Sequence, residues 1–251
     1  MPWYAGAVTG SAKPADGLAS AAESDTSAAL RGRALLEIRA VSHRWKANLP
    51  FVLDDLSLTL ASGEVTWIGG PNGVGKTTLL RVAGGILLPA HGSVTIDGRQ
   101  PRDHGRAFQQ QLGYLSAGDR GLYARMNVTQ QLDYWARLAY LPRPERARLV
   151  GSSIVDFGLE TYAHHRVDRL SQGWRQRVRL AMAFLHRPAV LLLDEPRNSL
   201  DDDGYAVLNA QVRDAAARGG AVLWCSPRGE DRVIEFDRSY MLQSGRLVET
   251  T

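Results

Sequence analysis

The chain has 251 residues, 44% hydrophobic and 22% charged, a balance that suits one large α/β domain and excludes a disordered or fibrous protein. The formal net charge of +4 permits contact with nucleic acid or an anionic membrane surface without arguing for either. No stretch approaches the ~18–20 apolar residues of a membrane-spanning helix, no basic start with an apolar run marks a secretory signal, and one cysteine, Cys225, excludes an internal disulfide and a multi-cysteine metal site.

Residues 1–33 are rich in Ala, Ser, Gly and Asp without periodicity, which predicts a flexible tail. Order is expected from about Ala34 to residue 250. LLEIRAVSHRW and FVLDDLSLTL alternate apolar and polar residues, as half-buried strands do. EVTWIGG reads as a short strand, followed by a glycine-rich turn and a helical run, KTTLLRVAGGILL. GSVTIDG and QLGYLS read as further strands. From Asn127 the pattern turns helical. Asn127 is placed to cap VTQQLDYWARLAYL, with Leu132, Trp135, Leu138 and Ala139 on one face. PRPERARLVGSSIVDFGL, with Pro144 near its start, and SQGWRQRVRLAMAFLHR are two more helices. AVLLLDE is continuously apolar, as in a strand buried on both faces. A helix from Asp201, the strand AVLWCS and the segment SYMLQSGRLVE complete the chain. Strands alternate with helices, and a mostly helical block falls at about 115–187. The expected fold is α/β, a mixed sheet covered by helices, with an antiparallel β-subdomain at the N-terminal side and a helical subdomain inserted.

Two segments carry chemistry. Gly70-Pro71-Asn72-Gly73-Val74-Gly75-Lys76-Thr77 matches the phosphate-binding loop G-x-x-x-x-G-K-[ST] at every fixed position, after a strand and at the start of a helix. Glycines allow a tight turn that points successive N–H groups at phosphate oxygens, and the helix N-terminus adds a favourable dipole. Gly70, Asn72, Gly73, Val74, Gly75, Lys76, Thr77 and Thr78 are therefore the expected nucleotide contacts. Lys76 supplies a point charge to the β and γ phosphates, and the Thr77 hydroxyl ligates Mg²⁺. Leu191-Leu192-Leu193-Asp194-Glu195 ends an apolar strand in two acids. Asp194 reaches the same metal, and Glu195 serves as general base to the attacking water.

Leu170-Ser171-Gln172-Gly173-Trp174 opens a helix just before that strand, and here the sequence resembles the ATP-binding cassette (ABC) ATPases. Their signature reads Leu-Ser-Gly-Gly-Gln. Leu170, Ser171 and Gly173 match it; Gln172 and Trp174 depart. Ser199-Leu200-Asp201 matches the family's dimer-contact loop, and the motif order is the family's own over about residues 34–250. The resemblance implies a P-loop fold, ATP and Mg²⁺ as ligands, and ATP hydrolysis. It implies that Trp45 stacks on adenine, and that Ser171 and Gly173 complete the nucleotide site of a partner subunit, in a homodimer or a heterodimer. It further implies a separate integral-membrane permease, a cytoplasmic location at the inner face of the membrane, and no nucleic-acid partner. The run Gly121-Leu122-Tyr123-x-Arg125-x-x-Val128-x-Gln130-Gln131-Leu132 resembles exporter-type ATPases.

Two family positions differ. The glutamine that the family carries after a strand like Leu112–Leu115 falls on Ala117, with Asp119 nearby. The family's switch histidine, counted back from Asp237-Arg238, falls on Pro227, and none of His43, His91, His104, His164, His165 or His186 lies near in sequence. The reading is thus an ATP-driven motor subunit with slow hydrolysis. Its alternatives are a weakly hydrolysing regulatory subunit of a heterodimer and a soluble ATPase acting on nucleic acid.

Overall fold

The alternating residues 34–61 form two antiparallel strands, β1 (Ala34–His43) and β2 (Leu53–Ala61), in a computed structural model that describes residues 32–118, 121–227 and 234–250. The tail expected at residues 1–33 lies, up to residue 31, outside the described residues. Leu36 and Ile38 face inward on β1. The register with β2 then shifts, at Ala40 with φ 48°, so that Val41 faces inward as well. β4 (His91–Ile96) adds to the other side of β1, giving a three-stranded antiparallel sheet of order β2-β1-β4.

The second sheet holds β3 (Val65–Gly69), β5 (Leu112–Leu115), β6 (Val190–Asp194), β7 (Ala221–Ser226), β8 (Arg238–Gln243) and β9 (Arg246–Glu249). Its order is β5-β6-β7-β3-β8-β9, parallel except where β9 returns antiparallel on β8. β3, β6 and β7 are buried along their whole length, as their unbroken apolar runs predict for strands covered on both faces. Residue parity divides their side chains between two cores. Trp67, Leu191, Leu193, Val222 and Trp224 face one; Ile68, Val190, Leu192, Leu223 and Cys225 face the other.

The second core lies between the two sheets and encloses α1 (Lys76–Ala83) through Leu79, Leu80, Val82 and Ala83. A short α2 (Gly105–Gln110) buries Phe108 there, an element without a clear periodic signal in the sequence. The first core is covered by α3 (Val128–Leu138), α4 (Arg143–Asp156), α5 (Gln172–Phe184) and α6 (Asp202–Ala217). Asn127 caps α3 as predicted, in a reciprocal box with Gln130. The face expected for α3 is rotated. Val128, Leu132 and Ala136 are buried, Trp135 is half-buried and Leu138 is exposed, because the helix ends at Leu138 and its last turn clears the core.

Candidate nucleotide site

Because β3, β5, β6 and β7 are parallel and adjacent in the order β5-β6-β7-β3, their carboxyl ends share one edge. Gly69 pairs with Ser226, and Asp194 pairs with Cys225. The glycine-rich loop, the Asp194-Glu195 pair and the two divergent positions therefore emerge side by side. Such an edge is where open α/β sheets bind ligands.

The loop runs from β3 into α1 through Gly70, Gly73 and Gly75, all at positive φ. At Gly75 a Cβ would stand 3.0 Å from Val52 Cγ1 and 3.3 Å from the Val52 carbonyl, so neither the backbone angle nor the space suits a larger residue. Gly75 caps α1 with no side chain, and the first turn carries no acid, which leaves the helix N-terminus open to an anion. Lys76 is buried at 5% exposure. Its Nζ donates to the Gly70 carbonyl at 2.6 Å and the Pro71 carbonyl at 3.1 Å, so the loop curls around the ammonium. Asn72 and Gly73 are exposed at the tip, Val74 packs on the second core, and Thr78 is buried.

The Thr77 hydroxyl donates to Asp194 Oδ2 at 2.7 Å. Burial raises the Asp194 pKa from its ordinary value. The Thr77 hydroxyl, the Ala117 main-chain N–H and Lys76 oppose that shift, and Glu195 adds to it. Burial beside Asp194 also pushes the Tyr114 phenol up to about 12 and raises the Cys225 thiol, so both stay neutral. Glu195 follows with φ 49°, a left-handed angle uncommon outside glycine. Its N–H bonds to the Cys225 carbonyl at 2.8 Å. This turn leaves the Glu195 side chain half-buried, with Oε2 accepting from Asn198 Nδ2 at 2.6 Å. The sequence reading did not include Asn198. Its spacing of three residues from Glu195 in a tight turn is the signal that it reaches back.

Trp45 lies just beyond β1 and is 51% exposed, edge-on to His43. Val52 ties its loop to the site: the Val52 N–H bonds to the His43 carbonyl, and Val52 rests against Gly75.

Ser171 is the N-cap of α5. It is exposed, and its hydroxyl accepts from the Trp174 N–H at 3.4 Å. At Gly173 a Cβ would lie 2.9 Å from the Ser199 carbonyl, so the glycine lets the Ser199-Leu200-Asp201 loop pass close to α5. Asp201 caps α6 through the Gly204 N–H and accepts from Arg177 Nη2 at 3.0 Å. Trp174, which departs from the family signature, is packed 4.4 Å from the Tyr162 ring, with the Arg177 guanidinium 4.5 Å over its own ring. The approach of Gly173 to Ser199 and the Arg177–Asp201 pair join segments more than twenty residues apart and leave no local trace in the sequence.

At the two divergent positions the chain offers main chain. Ala117 brings its N–H to Asp194, and Pro227 follows a buried Ser226 whose Oγ is taken by Trp67 Nε1 at 2.8 Å. Asp119 lies outside the described residues.

The donors fit the expected ligands. The Thr77 and Asp194 oxygens stand together, and among the described residues no cluster of His, Cys, Asp and Glu offers an all-protein cage. This suits Mg²⁺, which takes one or two protein oxygens and completes its shell with phosphate and water. A bound Mg²⁺ would neutralise and orient the phosphate oxygens there.

Comparison with known proteins agrees with this geometry. The family model described as ABC transporter matches residues 53–198. The ABC transporter ATP-binding protein NatA of Bacillus subtilis (strain 168) is 34% identical over 194 residues, 77% of this chain and 79% of that protein. The Fe(3+) ions import ATP-binding protein FbpC of Escherichia coli (strain K12) is 34% identical, over 71% of this chain and 50% of that one. The Nod factor export ATP-binding protein I of Rhizobium johnstonii is 32% identical, over 85% and 68%. A solved ATP-binding subunit of an ABC transporter superposes with a TM-score of 0.80 at 26% identity, over 86% of this chain and 90% of that one.

Proposed function

The chain belongs to the ABC transporter family of ATP-binding ATPase proteins, and from that membership we propose that it powers transport through a separate integral-membrane permease by binding and hydrolysing ATP. The observation that carries this reading is the meeting of Lys76, the Thr77–Asp194 pair and Glu195 at one sheet edge. In this reading Lys76 leaves the Gly70 and Pro71 carbonyls for the β and γ phosphates. Thr77 and Asp194 hold Mg²⁺. The glycine-loop N–H groups and the α1 dipole carry the remaining phosphate charge, and Trp45 stacks on adenine. Glu195 orients the attacking water and takes its proton. Ser171 and Gly173 reach the nucleotide of a second ATPase subunit, so ATP closes the dimer and hydrolysis releases it.

One positioned catalytic group contributes about 10²–10⁴ in rate. With alanine at 117 and proline at 227, turnover is slow, and affinity for ATP rather than rapid hydrolysis does most of the mechanical task. Those two positions also favour a second reading, a weakly hydrolysing regulatory subunit in a heterodimer. Export is the direction we favour, supported by the run from Gly121 to Leu132, although relatives of both directions resemble the chain. In that run Gln131 is fully buried, accepts the Tyr123 N–H at 2.8 Å and donates to the Gly121 carbonyl at 3.1 Å. These bonds hold the loop that, in this reading, receives the permease. The chain then sits at the cytoplasmic face of the membrane, and no helix among the described residues is long and apolar enough to cross it.

The test is ATP turnover of the complex with its permease, beside the same complex carrying Glu195→Gln. The motor reading expects phosphate release that the substitution lowers by about 10²-fold or more. Turnover equal to the Glu195→Gln background rejects it in favour of the regulatory one.

A further inference from the structure

We propose that Arg179 is a positioning residue for the hydrolytic edge: from within α5 it fixes the loop after β5 and the turn after Glu195, and so sets where Asp194 and Glu195 stand. The proposal rests on the nucleotide-site reading and deepens it.

Arg179 is 5% exposed, deep in a helix whose neighbours Val178, Leu180 and Ala181 are core residues. A buried guanidinium is costly unless its donors are used. Arg179 donates to the Ser116 main-chain carbonyl and, through Nη1, to Gln176 Oε1 at 2.6 Å. Gln176 is also 5% exposed, and its Nε2 donates to the Pro196 carbonyl at 2.9 Å. The two bonds of Gln176 require one orientation of its amide, with oxygen toward Arg179 and nitrogen toward Pro196.

A continuous polar bridge therefore runs from residue 116, through α5, to residue 196. Each end lies one residue from the chemistry. Ser116 precedes Ala117, whose N–H faces Asp194, and Pro196 follows Glu195. Neither Ala117 nor Pro227 has a side chain that donates a hydrogen bond, so beyond Thr77 on Asp194 and Asn198 on Glu195 the placement of the carboxylates at this edge depends on the main chain. Arg179 and Gln176 hold that main chain on both sides. A planar fork with several donors at fixed angles reaches the Ser116 carbonyl and Gln176 together; an ammonium is a single point and cannot hold the same span.

The experiment uses the full chain with Arg179→Lys and, separately, Gln176→Met. Trinitrophenyl-ATP binding is measured without Mg²⁺ and then across a Mg²⁺ titration. Thermal unfolding and, in the permease complex, kcat and KM for ATP are measured alongside. The expected result is a folded protein with unchanged metal-free nucleotide binding. The Mg²⁺ needed for half-maximal effect rises, and kcat falls by about tenfold or more with KM little changed, the scale of losing an outer partner of a metal ligand. The double variant is no worse than the singles, because one bridge is broken in both. An unchanged Mg²⁺ titration overturns the proposal, as does a loss of metal-free nucleotide binding in the same proportion as kcat. If Arg179→Lys does not fold, Gln176→Met decides, since it keeps the arginine and breaks the bridge at its other end. If the parent complex turns over no faster than Glu195→Gln, the motor reading falls, and the Mg²⁺ titration still decides the role of Arg179.

Discussion

Lys76 is one of three lysines beside an abundance of arginine, and it occupies the position where arginine fits least. Two carbonyls, Gly70 and Pro71, close on its Nζ within 3.1 Å inside a loop with 5% of the residue exposed. A compact ammonium enters such a curl; a planar guanidinium forces it open. Lys76→Arg is expected to keep the charge yet weaken ATP binding by at least about tenfold, or about 1.4 kcal/mol, measured by titration with a fluorescent ATP analogue. His186 offers a second test at this scale. Its Nε2 is buried without a hydrogen-bond partner. Burial lowers its pKa below 6.5, partly offset by the Leu112 carbonyl. The unfolded chain therefore takes up the proton first as pH falls. Stability is fully present above about pH 6.5 and declines as pH drops through the depressed folded value. Urea unfolding at pH 7.5 and 5.5 should show that loss, and His186→Gln should reduce it; an equal loss in the variant assigns the pH dependence to other groups.

At the scale of elements, the approach of β5 to α5 controls the loop that carries Ala117. Gly113 makes it possible: a Cβ there would stand 2.2 Å from the Ala183 carbonyl and 2.7 Å from Leu191 and Pro188 side chains. Gly113→Ala cannot be accommodated without shifting the strand or the helix. It is expected to cost about 1–3 kcal/mol in chemical denaturation, and to slow ATP turnover through the displaced Ser116 and Ala117. Full activity in a destabilised Gly113→Ala protein would separate the packing from the site. The α3 helix shows how far local signals reach. Asn127 and Gln130 mark its start by their own hydrogen bonds, so its N-terminus is readable residue by residue. The exposure of Leu138 is not, because it depends on where the helix lifts off α5 and the sheet.

For the whole molecule, the decisive fact is that the exposed Ser171 cap and the nucleotide loop belong to different layers. Ser171 opens a helix of the first core, and the loop opens a helix of the second. In the proposed reading, Ser171 serves the nucleotide of a second subunit. Glu195→Gln with Mg²⁺ and ATP is expected to give dimers by analytical ultracentrifugation. Adding Ser171→Arg should return the chain to monomers while leaving its own nucleotide affinity unchanged. Persistent dimers in the double variant would show that this face is not the contact.

Much of this protein is legible in one dimension. The phosphate loop, the Asp194-Glu195 pair, the buried strands and the cap of α3 are written in residues a few positions apart, because turn angles, capping bonds and strand burial are local or periodic requirements. The departures at Ala117 and Pro227 were equally plain, since a missing side chain needs no structure to be missed. What occupies those gaps was settled only by tertiary structure. The Ala117 N–H at Asp194 and the bridge of Arg179 and Gln176 from Ser116 to Pro196 join residues through space. A buried polar group must find partners wherever the fold brings them, and the sequence records the need without naming the partner.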